Sequence, residues 1–381
     1  MKDNILYVGS FELPDKNAAA QRVISNSKIF RDLGYNVTLV GLSKSIDSSQ
    51  VFEYEGFKCV NWKYPHNPKE WYNYLFTTND YVDYLRDFKP SLVVAYNHPA
   101  ISLSKLNKWG KKNNCKVLSD CTEWFELRGN ILFRTIKGWD TKKRMTQVHC
   151  ELDGVIAISR FLQDYYLQRN CNVLLLPPLV DKKENKWNVN REKNDGTISL
   201  VYAGSSGEAA RDNLPSIISA LSEIRDSEHL RIKLFVIGLN EQQYKEKFNV
   251  QDEIDGNGFI KFMGRVPHAT VLEVLANSDY SIFVRNSTVT VEAGFPTKFV
   301  EAISSGTLVL TNLSSNIKDY LREGENGFVL DFSSYESLKS SLLVPLKKDK
   351  ADIVKIRESM NTDLFDYRSY ISITKDFIQS L

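Results

Sequence analysis

Short apolar runs alternate with stretches of helical period along almost the whole of this 381-residue chain. Asn4–Gly9 (NILYVG) reads as a strand of the fully buried type. Asn17–Leu33 follows, with Ala19, Val23, Phe30 and Leu33 on one helical face and Gly34 as its stop, and Asn36–Gly41 is the next strand. Ser91–Tyr96, Lys116–Ser119, Gly154–Ile158 and Val173–Leu176 continue the series. Strands separated by helices pair in parallel through crossovers. The pattern lapses over Pro177–Thr197, whose prolines, charges and amides have linker composition. It restarts with Ile198–Ala203, Arg231–Gly238, Phe259–Gly264, Tyr280–Val284, Thr307–Thr311 and Gly327–Leu330, with helices over Leu214–Arg225 and Val271–Asn277. The expected fold is α/β with two Rossmann-like doubly wound domains facing across a cleft. Residues 1–180 form the first, 181–197 the linker and 198–365 the second, and a helix over 366–381 packs back on the first. Ligands of open α/β sheets bind beyond the carboxyl ends of the strands, so the cleft is the expected site.

Composition narrows the class. There are 49 Lys and Arg against 47 Asp and Glu, a formal +2 that speaks against a nucleic-acid binder. No apolar run approaches the ~20 residues that span a bilayer, and Met1–Asp15 has no signal-peptide pattern. Cys59, Cys115, Cys121, Cys150 and Cys171 are odd in number and lack a Cys-x-x-Cys pair, which fits free thiols in a reducing compartment better than a disulfide framework or a zinc site. His66, His149, His229 and His268 have no partners at ligand spacing and receive no role. A soluble cytoplasmic protein is expected.

After the strand Ile198–Ala203 come Gly204, Ser205, Ser206 and Gly207, then Arg211. Glycines let backbone approach a ligand, a helix start offers N–H groups and a positive dipole end, and arginine suits a diphosphate. The plainer reading is a loop with a solvated arginine. Ala293–Gly306 (AGFPTKFVEAISSG) precedes the strand TLVLT and the glycine turn Glu323–Val329. This stretch resembles the GT-B glycosyltransferases, specifically retaining family 4 (glycosyl transferases group 1), a subset of which carries Pro-Thr-Lys-Phe-x-Glu here. Met263–His268 (MGRVPH), Gln21–Val23 with Leu33–Val37, and Ile156–Ser159 with Leu174–Asp181 are similar to other family segments. Taken in order, the resemblance covers essentially the whole chain.

The resemblance implies roles. Glu301 matches the second Glu of a Glu-x7-Glu element that grips the nucleotide ribose; it is read at the start of a helix Lys298–Ser305, where a negative charge is also favoured. Lys298 and Arg211 neutralise the departing diphosphate. Gly204, Ser205, Gly294, Phe295 and Thr297 complete the donor site, with backbone at Arg265 and Val266 contacting the base. The first Glu of the element is replaced by Ala293, Pro296 stands where the family has glycine, and Ser205 replaces a usual Arg, for which Arg285 is a candidate substitute. In the first domain, Asp120-Cys121-Thr122-Glu123-Trp124 enters the cleft after a strand, with Thr122 where relatives have a sugar-contacting His; Glu123 is either functional or a structural loop carboxylate. His98, after Ser91–Tyr96, is a candidate for acceptor orientation or proton transfer and equally a packing histidine.

Residues 101–150 hold 11 basic and four acidic residues. Arg134, Lys137, Lys142, Lys143 and Arg144 lie among Ile131, Leu132, Phe133, Ile136 and Trp139, a mixture that suits either an anionic membrane surface or a solvated helix face. The implied activity is retaining, metal-independent transfer of a sugar from a nucleotide diphosphate sugar, UDP-sugar favoured, to a glycan or lipid-linked acceptor in bacterial surface polysaccharide or glycoconjugate synthesis. No metal is expected because the chain has no Asp-x-Asp; no cofactor is expected beyond the donor substrate. The rivals are a nucleotide-sugar epimerase of the same fold and a non-catalytic subunit that binds glycan or a partner.

Overall fold

Runs such as Ile5–Val8 and Leu92–Ala95 lack polar alternation because both faces of their strands are covered. The computed structural model describes residues 3–14, 16–46, 48–77, 79–124, 131–189, 191, 196–250 and 258–381. It divides into two compact units, Met1–Asp181 with Glu292–Phe295 and Asp366–Leu381, and Lys182–Val291 with Pro296–Phe365.

The first unit is built on β1 (Asn4–Gly9), β2 (Asn36–Ser43), β3 (Gln50–Tyr54), β4 (Phe57–Lys63), β5 (Leu92–Tyr96), β6 (Lys116–Cys121), β7 (Gly154–Ala157) and β8 (Val173–Leu175). Their order is β3-β4-β2-β1-β5-β6-β7-β8, and the order reverses between β1 and β5. Every pairing is parallel except the hairpin β3–β4, whose two-residue turn, Glu55 (φ 50°) and Gly56 (φ 78°), takes the left-handed backbone that matches strand twist. Asn17 starts the helix Ala18–Asp32 by accepting the Ala20 N–H at 2.9 Å. The final segment is tied into this unit: Tyr367 donates to the Val180 carbonyl (3.0 Å) and to Asp32 (2.9 Å), and Arg368 to Asp181 (2.8 Å).

Two expectations need correction here. Cys150 and Cys171 form a disulfide, 21 residues apart. The strands β7 and β8 are parallel neighbours with Val155 beside Val173, so residues preceding each strand come together, which parity and local spacing do not reveal. Cys59, Cys115 and Cys121 are the buried free thiols. β6 also runs two residues further than read, so Asp120 is not a loop residue; it is fully buried, accepting from Arg22 (2.8 Å) and the Tyr7 hydroxyl (2.5 Å).

The second unit has β9 (Ile198–Ala203), β10 (Ile232–Ile237), β11 (Ile260–Gly264), β12 (Tyr280–Ile282), β13 (Leu308–Thr311) and β14 (Gly327–Val329), all parallel, in the order β11-β10-β9-β12-β13-β14. The order reverses between β9 and β12, so the segments just beyond Ala203 and Ile282 flank the crevice where such sheets bind ligands. No described helix is long and apolar enough to cross a membrane.

Candidate functional site

At that reversal of the second sheet sits a buried charge cluster. Asp212, fully buried, accepts from Arg285 Nε (2.6 Å), from Lys298 Nζ and from the Tyr202 hydroxyl (3.0 Å). Tyr202 comes from β9, Arg285 from the segment after β12, and Lys298 from the first turn of the helix Thr297–Ser304. The Lys298 ammonium lies 4.5 Å from the centre of the Tyr202 ring, and the Arg285 guanidinium 5.3 Å from that of Phe283. Asn312 fixes the Arg285 backbone from both sides, with its amide accepting and donating at 2.8 Å. Burial would push the Asp212 carboxyl up, but Lys298 and Arg285 outweigh it and hold it below the usual carboxylate range. A Cβ at Gly204 would stand 2.7 Å from the Lys298 ammonium, so glycine brings bare backbone up to the cation. Gly238, at φ 102°, packs on the Gly204 carbonyl in the same way.

The glycine loop itself differs from expectation. Ser205 caps a helix of six residues, Ser206–Arg211, and its own N–H is taken by the Glu208 carboxylate at 3.1 Å in a capping box. The Ser205 N–H is thus already committed, and the positive charge at this corner is carried by side chains. Arg211 is the last residue of that helix, not beside its start; it is half-exposed and held by Glu208 at 2.6 Å. Arg211, Arg285 and Lys298 against Asp212 and Glu208 leave one net positive charge beside the loop. Sequence reading missed Asp212, although its place directly after Arg211 was the available signal.

Glu301 lies in the second turn of the helix Thr297–Ser304, so the helix-start argument for its charge lapses. It does acquire a partner that was denied a role: His268 Nε2 is 3.0 Å from Glu301 Oε1. His268 opens the helix His268–Asn277, one turn after β11, which explains how 33 residues of separation close. Arg265, exposed, and Val266, half-buried, lie between β11 and this helix. Thr297 is half-buried at the start of its helix, but Gly294 and Phe295 group with the first unit, where the Ala293 carbonyl accepts from Ser159 (2.8 Å).

In the first unit His98 is buried beside Ser102 (3.0 Å), and burial, with help from Arg144, pushes its pKa down to about 4. It is therefore a neutral imidazole at ordinary pH, buried against the start of the helix Ala100–Lys112. Asn97 donates to Thr122 Oγ1 (2.7 Å) and accepts the Thr122 N–H (3.1 Å), latching the ends of β5 and β6 beneath exposed Glu123. Arg144 is 1 % exposed and donates to the Asn97 carbonyl (3.1 Å), so it is a structural residue and not part of a surface patch. Arg134 and Lys142 are exposed, Lys137 and Lys143 half-exposed, and Trp139 is 49 % exposed with Lys143 over its ring at 5.5 Å. The side chains of Ile131, Leu132 and Phe133 lie outside the described residues.

Residues 183–360 match the family model of glycosyl transferases group 1. That part of the chain is a group 1 glycosyltransferase domain. No curated protein matches the sequence. Among solved structures, Anabaena HepE in complex with UDP is similar at TM-score 0.69 and 13% identity, covering 100% of both chains. Sucrose-phosphate synthase from Thermosynechococcus elongatus gives 0.69 and 12% identity over 100% of this chain and 98% of that one. The lipopolysaccharide outer core galactosyltransferase WaaB gives 0.63 and 15% identity over 99% of each. The glycosyltransferase domain thus stands in a chain of two parallel-sheet α/β units with the GT-B fold.

Proposed function

We propose that this GT-B glycosyltransferase moves a sugar from a UDP-sugar to a glycan acceptor with retention at the anomeric carbon. The observation that carries the proposal is the Asp212–Arg285–Lys298 cluster at the strand-order reversal of the group 1 domain. Phosphoryl leaving groups need fixed positive charge where negative charge grows, and cations held in place by a buried carboxylate supply it without reorganisation. Lys298, Arg285 and Arg211 are assigned to the diphosphate and Glu301, released from His268, to the ribose hydroxyls. Uridine is favoured because HepE was solved with UDP. The same cations take the charge-neutralising role without a metal, so activity should persist in a chelator. The lysines and Trp139 of the helix Ile131–Lys143 are assigned to an anionic membrane carrying a lipid-linked acceptor, at the cytoplasmic face where surface polysaccharide is built.

A thermal-shift series with UDP-, GDP- and dTDP-sugars tests the donor reading. Stabilisation by a UDP-sugar is expected; stabilisation by none would remove the donor site.

A further inference from the structure

The first unit contains a cavity of about 310 Å³ that no role above uses, at the low end of the ~300–1,000 Å³ typical of small-molecule sites. One wall is apolar and aromatic: Val8 of β1, Val40 of β2 and Trp62 of β4, faced by Tyr74 of the helix Pro68–Phe76. Glu70 and Asn73, from that same helix, and Lys63 line it too. His98 is part of the lining as well.

These walls are set in place before any ligand arrives. Trp62 meets Tyr84 edge-on at 6.5 Å, and Tyr74 meets His98 at 5.9 Å and Trp71 at 6.1 Å, so both facing rings are oriented by neighbours. Glu70 Oε2 accepts the His66 N–H at 2.7 Å and Oε1 is 3.9 Å from Lys63; that backbone bond, ahead of Lys63, holds the carboxyl below its ordinary range. Glu70 is thus an ionised acceptor, Lys63 its countercharge, and His98 is neutral.

The charge and shape select among ligands. A nucleotide diphosphate would set its phosphates against Glu70 with one lysine, already opposed, to balance them. An alkyl or prenyl chain would cover Glu70, Asn73 and Lys63 without giving them partners, which is costly. A sugar ring has an apolar C–H face for Trp62 or Tyr74 and a rim of hydroxyls that a carboxylate and an amide can bind at once. We propose that this cavity is the subsite for an uncharged saccharide ring of the acceptor. The proposal deepens the acceptor half of the function above and rests on that reading.

The test is ligand-observed saturation-transfer NMR on the full chain with methyl glycosides of glucose, galactose, mannose and N-acetylglucosamine, alongside calorimetry with UDP. No residue of the helix Pro68–Phe76 is buried, so Asn73→Ala and Glu70→Gln leave the fold standing. At least one glycoside should bind, with about three- to tenfold weaker binding in each variant, the usual effect of one lost hydrogen bond, and UDP affinity unchanged. A protein that binds UDP but no glycoside, or variants that bind glycoside undiminished, would overturn the proposal. So would geranyl phosphate binding that both substitutions weaken, in a protein that binds no glycoside; the cavity would then hold a lipid tail. Glycoside binding without UDP binding would uphold the cavity and defeat the donor assignment instead.

Discussion

Replacing Asp212 with Asn separates a held-together cation pair from a merely crowded one. The carboxylate accepts three bonds, from Arg285, Lys298 and Tyr202, and is fully buried. The amide has almost the same volume, so no cavity opens. Its loss leaves two buried cations facing one neutral group, and removing one partner of a buried ionic cluster costs about 3–5 kcal/mol. For a unit of this size that is a fall of roughly 10 °C in melting temperature. UDP brings negative charge to the same place, so saturating UDP should raise the melting point of Asp212→Asn by more than that of the wild type. Adding Lys298→Met to Asp212→Asn should recover part of the lost stability, because the uncompensated charge goes with it. The dependence on acidity has a definite sign. A carboxyl held low by its partners stabilises the folded state fully above its unfolded pKa and loses that contribution as pH falls through the folded value. The gap between wild type and variant should therefore stay constant above about pH 5 and narrow below about pH 4. Differential scanning fluorimetry across pH, with and without UDP, reads all of this. An Asp212→Asn protein that melts within about 1 °C of wild type would refute the argument that this carboxylate holds the cations.

Glu301→Gln should weaken UDP-sugar binding about tenfold in calorimetry, the size of a lost bond to a charged group, while leaving melting nearly unchanged because Glu301 is only partly buried. Lys142→Glu with Lys143→Glu should reduce flotation with phosphatidylserine vesicles by more than tenfold, at about 1 kcal/mol per cation near an anionic surface; unaltered flotation would sink the membrane assignment. Cys150→Ser should lower stability by about 3 kcal/mol, the order expected for a loop closed across 21 residues, and thiol counting under denaturing, non-reducing conditions should find three free cysteines in the wild type.

Much of the fold was legible because parallel strands covered on both faces must be continuously apolar, and each run read as a strand falls on one. The β3–β4 hairpin escaped because β3 is exposed or half-exposed along its whole length and polar Lys58 and Asn61 break up the apolar run of β4. Its one sharp signal was the pair Glu55-Gly56, a turn that only left-handed backbone can make. The disulfide escaped for a different reason: local spacing says nothing about residues that two parallel strands bring side by side.

The site divides along the same line. Lys298, Glu301 and the glycine at 204 were readable because a local motif carries them; in the structure Gly204 lies against the Lys298 ammonium, and Glu301 is on the same helix as Lys298. What the motif did not carry was the charge that makes a buried lysine tolerable. Lys298 and Asp212 are 86 positions apart and Arg285 and Asp212 are 73 apart, so no window along the chain contains the cluster. Yet the requirement itself was derivable. A lysine in the first turn of a helix and an arginine just beyond a strand cannot both be buried side by side without a carboxylate between them. Of the two acidic residues just beyond β9, Glu208 is committed to the capping box with Ser205 and to Arg211, which leaves Asp212. The same reasoning accounts for the failed reading of Arg144: a basic residue in a basic stretch looks solvated until the Asn97 carbonyl is seen to hold it inside. Charge counts along a sequence report the sum of exposed and buried groups, and only the partners tell them apart.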